Sequence, residues 1–169
     1  AVVVDPIAGL GARAGAADRG SSISVSRGDL ERLAPQNVKD VFAGQSAVTV
    51  GGAMPLAQKV YVHGVEETNL SVSIDGARQN IKIFHPSGNN LIDPLILKQV
   101  RVDPNVAPAD AGPGALAGSI VYETVDVDDV LAPGRNVGAY GTTLFETNAN
   151  TFTNSATAFG RDEGFEVLG

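Results

Sequence analysis

The chain has 169 residues, 12 basic against 19 acidic for a net charge of −7, and no cysteine. The acidic balance argues against nucleic acid or an anionic membrane surface as partner, since both call for clustered Lys and Arg. The missing thiols exclude disulfides, thiolate metal sites and Cys nucleophiles, and with only His63 and His85 no three-imidazole site can be built from this chain alone.

Residues 1–22 open with the β-branched run Val2-Val3-Val4, followed by a Gly/Ala/Arg tract from Gly9 to Gly20. Small residues pack little and keep backbone freedom, which predicts a mobile arm; an ordinary ragged terminus is the plain alternative. Ile23 and Val25 alternate with serines, the pattern of a short half-buried strand. Ser26 stands three residues before Asp29, a capping-box start for a brief helix bearing Leu30 and Leu33. Pro35 suits a helix first turn, Val38, Val41 and Phe42 follow at helical spacing, and Gly44 supplies the stop. Strands are predicted at Ala47–Val50, Lys59–His63 and Asn69–Ile74, the last closed by the turn pair Asp75-Gly76. Asp93-Pro94 opens another short helix, Leu95 to Lys98, which feeds the alternating strand Val100–Val102. Gly112-Pro113-Gly114 reads as a turn and Ser119–Thr124 as the last strand of the block. Short helices between short strands, with no long crossover helix, predict a compact α+β domain with a small mixed sheet ending near Leu131–Gly134.

The tail differs in kind. Asn136–Glu146 and Asn150–Arg161 are extended runs joined by Thr147-Asn148-Ala149, a β-hairpin prediction. In the second run Thr151, Thr153, Ser155 and Thr157 share one face; Phe152, Ala156 and Ala158 share the other, with Asn154 the exception. Each strand is as long as a tilted strand needs to cross a bilayer, and a lone hairpin is marginal in water. Either more strands pair with it, or the sequence is a fragment. No apolar run approaches the roughly 18 residues of a membrane-spanning helix. There is no basic region followed by an apolar one at the start, so any signal peptide is expected to have been removed.

The block from Glu31 to Thr124 resembles the plug domain of TonB-dependent outer-membrane receptors. The resemblance lies in Leu33–Phe42, in Val60-Tyr61-Val62-His63-Gly64-Val65, in Val72-Ser73-Ile74-Asp75-Gly76-Ala77-Arg78-Gln79, in Ile92–Val100 and in Gly112–Thr124. It departs from the family pattern at His63, where an Arg is usual before the Gly, and at Val106–Ala111, where a Gly-Pro-x-Ser loop is usual. The resemblance implies residues 1–22 as a periplasmic arm, 23–133 as the plug and 134–169 as the first two strands of a barrel of about 22 strands. It also implies a TonB-type energy-transducing partner. The stretch Ala1-Val2-Val3-Val4-Asp5 looks like the region of the TonB box or the strand just after it, which makes Val2, Val3 and Val4 the TonB-interacting residues that the resemblance implies; an extended apolar segment can add to a partner's sheet edge.

Within that family, Ile83–Pro94 is similar to the plug loop of haem receptors. A neutral imidazole is a good axial ligand for haem iron. Pro86 biases His85 toward extended backbone, the run Ser87–Asn90 turns the chain, and Phe84 offers an apolar contact to the porphyrin. The second axial ligand would come from outside this sequence. The resemblance thus implies haem as the transported ligand, delivered free or from a haem-carrier protein, with the barrel in outer-membrane lipid. A solvated loop histidine remains the plain reading of His85, and a local hydrogen bond that of His63. Asp126, Asp128 and Asp129 lack the Gly and distal Glu of a calcium loop and read as a solvated linker. Gly9-Leu10-Gly11 lacks the third glycine of a dinucleotide fingerprint, and no nucleophile elbow is present, so nothing supports an enzyme. Two other readings stay open: the same receptor class carrying a ferric siderophore or other metal complex, and a soluble periplasmic binding module.

Overall fold

The computed structural model describes residues 22–54, 57–79, 92–105, 111–112, 115–147 and 150–169. The chain divides into two compact units, one reaching Thr124 and the other running from Val125 to Gly169.

Strand β1, Ile23–Val25, leads into helix α1, Arg27–Leu33. The capping box forms as expected: the Ser26 hydroxyl faces the Asp29 amide and the Asp29 carboxylate accepts from the Ser26 amide at 3.0 Å. Those bonds satisfy donors that the first helical turn leaves orphaned. Ala34 closes the helix in the left-handed region, and Leu30 is the residue it buries. Helix α2 covers only Val38–Val41. It begins after Pro35 because the Asn37 side chain caps it, its Oδ1 accepting from the amides of Lys39 and Asp40. A short polar acceptor outcompetes a pre-set φ as the starting signal.

Strands β2 (Val48–Gly51), β3 (Lys59–Val62) and β4 (Val65–Glu66) form an antiparallel three-stranded sheet. A 3-10 turn at Glu67–Asn69 then delivers β5, Ser71–Ile74, which hairpins into β6, Ala77–Arg78. The helix expected from Leu95 to Lys98 is a single 3-10 turn, Pro94–Ile96, capped by Asp93. The strand after it is correspondingly longer, β7 running Leu97–Pro104, and β8 spans Gly118–Thr124. The order in this five-stranded sheet is β1-β7-β8-β5-β6, with only the β5–β8 pair parallel. The first unit thus holds two sheets where the sequence pattern indicated one.

One core serves both sheets. Val25, Val100, Tyr122 and Ile74 lie in one cross-strand row; Ile23, Val102, Ile120 and Val72 lie in the next. Val100, Val102, Ile120 and Tyr122 are fully buried, and Val60, Val62, Leu30, Val41 and Phe42 join the same cluster from β3 and the helices. At about 25 cal/mol per Å² of apolar surface removed from water, this continuous cluster is the main favourable contribution to folding of the unit.

The second unit starts with helix α3, Val127–Val130, and continues as an antiparallel sheet of β9 (Val137–Glu146), β10 (Thr151–Asp162) and β11 (Phe165–Leu168). The hairpin register pairs Thr151 with Glu146 and Gly160 with Val137. Strand β11 is an addition to the expected two, turned by Gly164 at φ 80°. Val137, Ala139, Phe145, Phe152, Ala156, Ala158, Phe165 and Val167 all fall on one face by the pairing, and that face is open: Phe152 is 62% and Val137 74% exposed. The opposite face carries Thr142, Tyr140, Thr153, Ser155 and Thr157. There Phe159 lies over the bare backbone of Gly138 and tilts against Tyr140, with ring centroids 6.0 Å apart. Among the described residues no helix is long and apolar enough to cross a membrane.

Candidate functional site

Phe84 and His85 lie outside the described residues, as do Val2, Val3 and Val4. What the structure defines is the frame from which the Phe84–His85 segment departs. Strand β6 leaves the turn at Asp75 (φ 48°) and Gly76 (φ 78°), left-handed positions that an Asp-Gly pair accommodates. The Gln79 amide donates to the Val72 carbonyl at 2.8 Å, holding the departing chain against the sheet. On the return, Asp93 Oδ1 accepts from the Leu95 amide at 2.9 Å, Pro94 occupies the first position of the 3-10 turn, and Leu97 enters β7 opposite Thr124. Pro at that position has no amide to leave unsatisfied, so sharp re-entry into the sheet is inexpensive.

His63 sits at the β3–β4 turn with φ 48°, followed by Gly64 at φ 80°. It is exposed, and its Nδ1 meets Asn105 Oδ1 at 3.3 Å, a partner at the end of β7 rather than the local one expected. The three acidic residues of the linker take structural parts. Asp129 accepts from the Asp126 amide at 2.9 Å in a capping box for α3, and Asp128 pairs with Arg161. Among the described residues no group of three His, Cys, Asp or Glu side chains is placed to hold a metal ion.

The face of the five-stranded sheet away from the core is polar, a feature the sequence reading did not single out. Ser24, Arg101, Val121, Ser73 and Arg78 form one row across five strands. Ser71, Ser73, Arg78, Arg101 and Ser119 line a crevice of about 320 Å³ there. The one buried carboxylate among the described residues of this sheet face is well supplied with donors. Asp103 accepts from Ser22 Oγ at 2.5 Å, Ser119 Oγ at 3.2 Å and Arg101 Nε at 3.2 Å, as a carboxylate taken out of water requires. The signal was present in the alternation of Gln99, Arg101 and Asp103 with Val100 and Val102.

A second buried carboxylate joins the sheets. Glu67, 2% exposed, accepts from the Val60 amide at 2.9 Å. The phenol of Tyr122 is pushed above its ordinary range by burial first and by the negative charge of Glu67 second. Nothing in either arrangement supplies a nucleophile with its base; these are groups that hold elements together.

The sequence pattern of the TonB-dependent Receptor Plug Domain matches residues 16–119. The chain is 42% identical over 140 residues to the "Heme transporter BhuA" of Brucella ovis, covering 83% of this chain and 21% of that protein. It is 32% identical over 118 residues to the "Hemin receptor" of Yersinia pestis, covering 70% and 17% respectively. The chain therefore spans about a fifth of the length of these curated relatives. Among solved structures, the FrpB iron transporter from Neisseria meningitidis (F3-3 variant) superposes with a TM-score of 0.79 at 24% identity, over 88% of this chain and 23% of that one. The Serratia marcescens receptor HasR, solved with its hemophore HasA and heme, gives 0.67 at 24% identity over 88% and 23%. These two likenesses carry the fold: a plug followed by initial barrel strands, with no closed barrel among the described residues. Matched in sequence over most of its first unit and in fold through both, the chain belongs to the TonB-dependent receptor plug domain family.

Proposed function

We propose that this chain is the plug and the first barrel strands of an outer-membrane receptor that imports haem, using energy delivered by a TonB-type protein. In this reading residues 1–22 are the periplasmic arm, 23–133 the plug and 134–169 the start of the barrel. Val2, Val3 and Val4 present an extended segment to the energy-transducing partner. His85 supplies an axial imidazole to the iron and Phe84 an apolar contact to the porphyrin. Haem is cargo here, taken free or from a carrier protein.

The observation that carries the cargo assignment is the 42% identity to a heme transporter across 83% of the chain. The open apolar face of β9–β11, backed by a face of Thr, Ser and Tyr, supports the barrel assignment, since strands in such walls alternate apolar-out and polar-in.

The test uses the full-length receptor. Hemin is titrated into wild type and His85→Ala while the Soret band is followed. Affinity is expected to fall at least about tenfold, or about 1.4 kcal/mol, with a shifted band. Unchanged affinity and spectrum would remove His85 from the site. A wild-type receptor that ignored hemin and bound a ferric siderophore would move the chain to the other cargo class.

A further inference from the structure

The polar crevice on the five-stranded sheet takes its shape from the strand register. Across four neighbouring strands, Arg101 of β7 stands level with Val121 of β8, Val121 with Ser73 of β5, and Ser73 with Arg78 of β6. Ser119 and Ser71 form the neighbouring pair on the same two middle strands. Those middle strands carry short side chains there, and the two flanking strands carry long cationic ones. The result is a trough of about 320 Å³ with a hydroxyl-rich floor and a guanidinium from either side. At strand spacings of about 4.8 Å, the two arginine backbones lie roughly 14 Å apart.

Arg101 gives its Nε to Asp103 at 3.2 Å, and its terminal nitrogens have no partner among the described residues. One edge of that guanidinium is therefore held, and the remaining donors are available to the trough that it lines. Arg78 reaches toward Gly112: its Nη1 stands 3.9 Å from where a Cβ would sit, so the bare glycine leaves that end roomy. The lining holds two guanidiniums and no carboxylate, in a chain whose net charge is −7. Asp103 bonds to Arg101 and Ser119 without lining the trough, and Glu123, the next residue on this face of β8, lies opposite Gln99 and does not line it either. The geometry points to a carboxylate-binding subsite, in which Arg78 and Arg101 receive the two propionates on one edge of haem and Ser73 adds a hydroxyl between them. Arginine holds a carboxylate by paired, charge-assisted hydrogen bonds, which fix direction as well as distance. A trough of this volume admits the carboxylate edge and not the whole macrocycle, so it reads that edge while the iron is bound elsewhere. The inference rests on haem as cargo and deepens that reading, using residues of the sheet alone.

The test compares hemin with hemin dimethyl ester, whose carboxylates are capped, in the full-length receptor. Wild type is expected to bind hemin at least about tenfold more tightly than the ester, the worth of charge-assisted hydrogen bonds. In Arg78→Gln and Arg101→Gln the ratio is expected to fall to about threefold or less. The Soret position at saturation is expected to stay put, because no iron ligand is touched. Ser73→Asp disturbs no side-chain hydrogen bond among the described residues and sets a negative charge on the floor. It is expected to collapse the ratio too, and serves if an arginine variant fails to fold. Equal affinity of wild type for the two porphyrins would overturn the subsite, as would a ratio that all three variants retain. Phenylglyoxal labelling, read by mass spectrometry at Arg78 and Arg101, gives an independent measure. Both are expected to react in the ligand-free receptor and to be protected by hemin but not by the ester. Arginines that fail to react before ligand is added would also overturn the inference, since a carboxylate of the receptor itself would already fill the trough. If wild type takes neither porphyrin, the haem reading fails by itself. Labelling in the presence of succinate then decides the trough: protection of both arginines sustains a carboxylate site, and its absence removes it.

Discussion

Tyr122 is fully buried, and its hydroxyl has no hydrogen-bond partner among the described residues. An unmade buried hydrogen bond is a penalty, and removing the group that incurs it is close to neutral. Tyr122→Phe is therefore expected to leave stability within about 1 kcal/mol of the parent, on the favourable side, as read from urea midpoints. The same burial sets a pH dependence. The phenol is raised in the folded state, so its contribution is fully present below the unfolded value of about 10 and declines above it. Asp29 works in the opposite direction. Its carboxyl is lowered by hydrogen bonds from Ser26, the side chain before the backbone, with Arg32 adding to them. Its support of α1 is in place above about pH 4 and fades as the solution is acidified further. Ser26→Ala should return the Asp29 titration, followed by carboxyl NMR, toward the ordinary carboxylate value. Gly118 makes a sharper case: at φ 130° a Cβ would stand 2.4 Å from the Asp103 carbonyl oxygen. Gly118→Ala is expected to cost at least about 2 kcal/mol, because backbone on both sides must move.

At the level of elements, burial decides which substitutions matter. Ile120 in the centre of β8 is fully enclosed, whereas Leu33 at the end of α1 is 44% exposed. Ile120→Ala is expected to destabilise by about 2–5 kcal/mol, and Leu33→Ala by less than about 0.5 kcal/mol, in the same urea titration. What could be read from sequence divides along a similar line. The Ser26–Asp29 capping box, the Asp75-Gly76 turn and the β9–β10 hairpin depend on residues a few positions apart, and all three form. The start of α2 was misplaced because two local signals competed and Asn37 prevailed over Pro35. Strand β11 was missed because four residues, Phe165–Leu168, carry too short a pattern to signal without the partner strand that pairs with them. The five-stranded sheet and its polar face arise from pairings distant in sequence, such as Ser24 with Arg101 and Ser73 with Val121. Phe84, His85 and Val2–Val4 lie outside the described residues; of the frame around them, nothing in Asp75 or Thr124 alone announces that they bind one another.

For the whole molecule, the second unit shows what kind of surroundings it is suited to. Its open face is apolar along most of β9 and β10, interrupted by Thr143, whose hydroxyl meets Asn154 Oδ1 at 2.9 Å. If that face meets lipid, a charge there is costly in proportion to its depth, about 2–4 kcal/mol for Arg at the midplane. Ala156→Arg in the full receptor is expected to reduce the fraction assembled in the outer membrane, scored by heat-modifiable migration on gels. Thr153→Arg, on the polar face, is expected to assemble normally. Equal assembly of the two variants would remove the lipid assignment. Strands β9 and β11 each have a single hydrogen-bonded neighbour among the described residues. Their far sides present ladders of amides and carbonyls ready to template any extended chain. An edge left open in this way can be capped by a strand of its own polypeptide or by a foreign one, so which of them pairs first decides between assembly and aggregation.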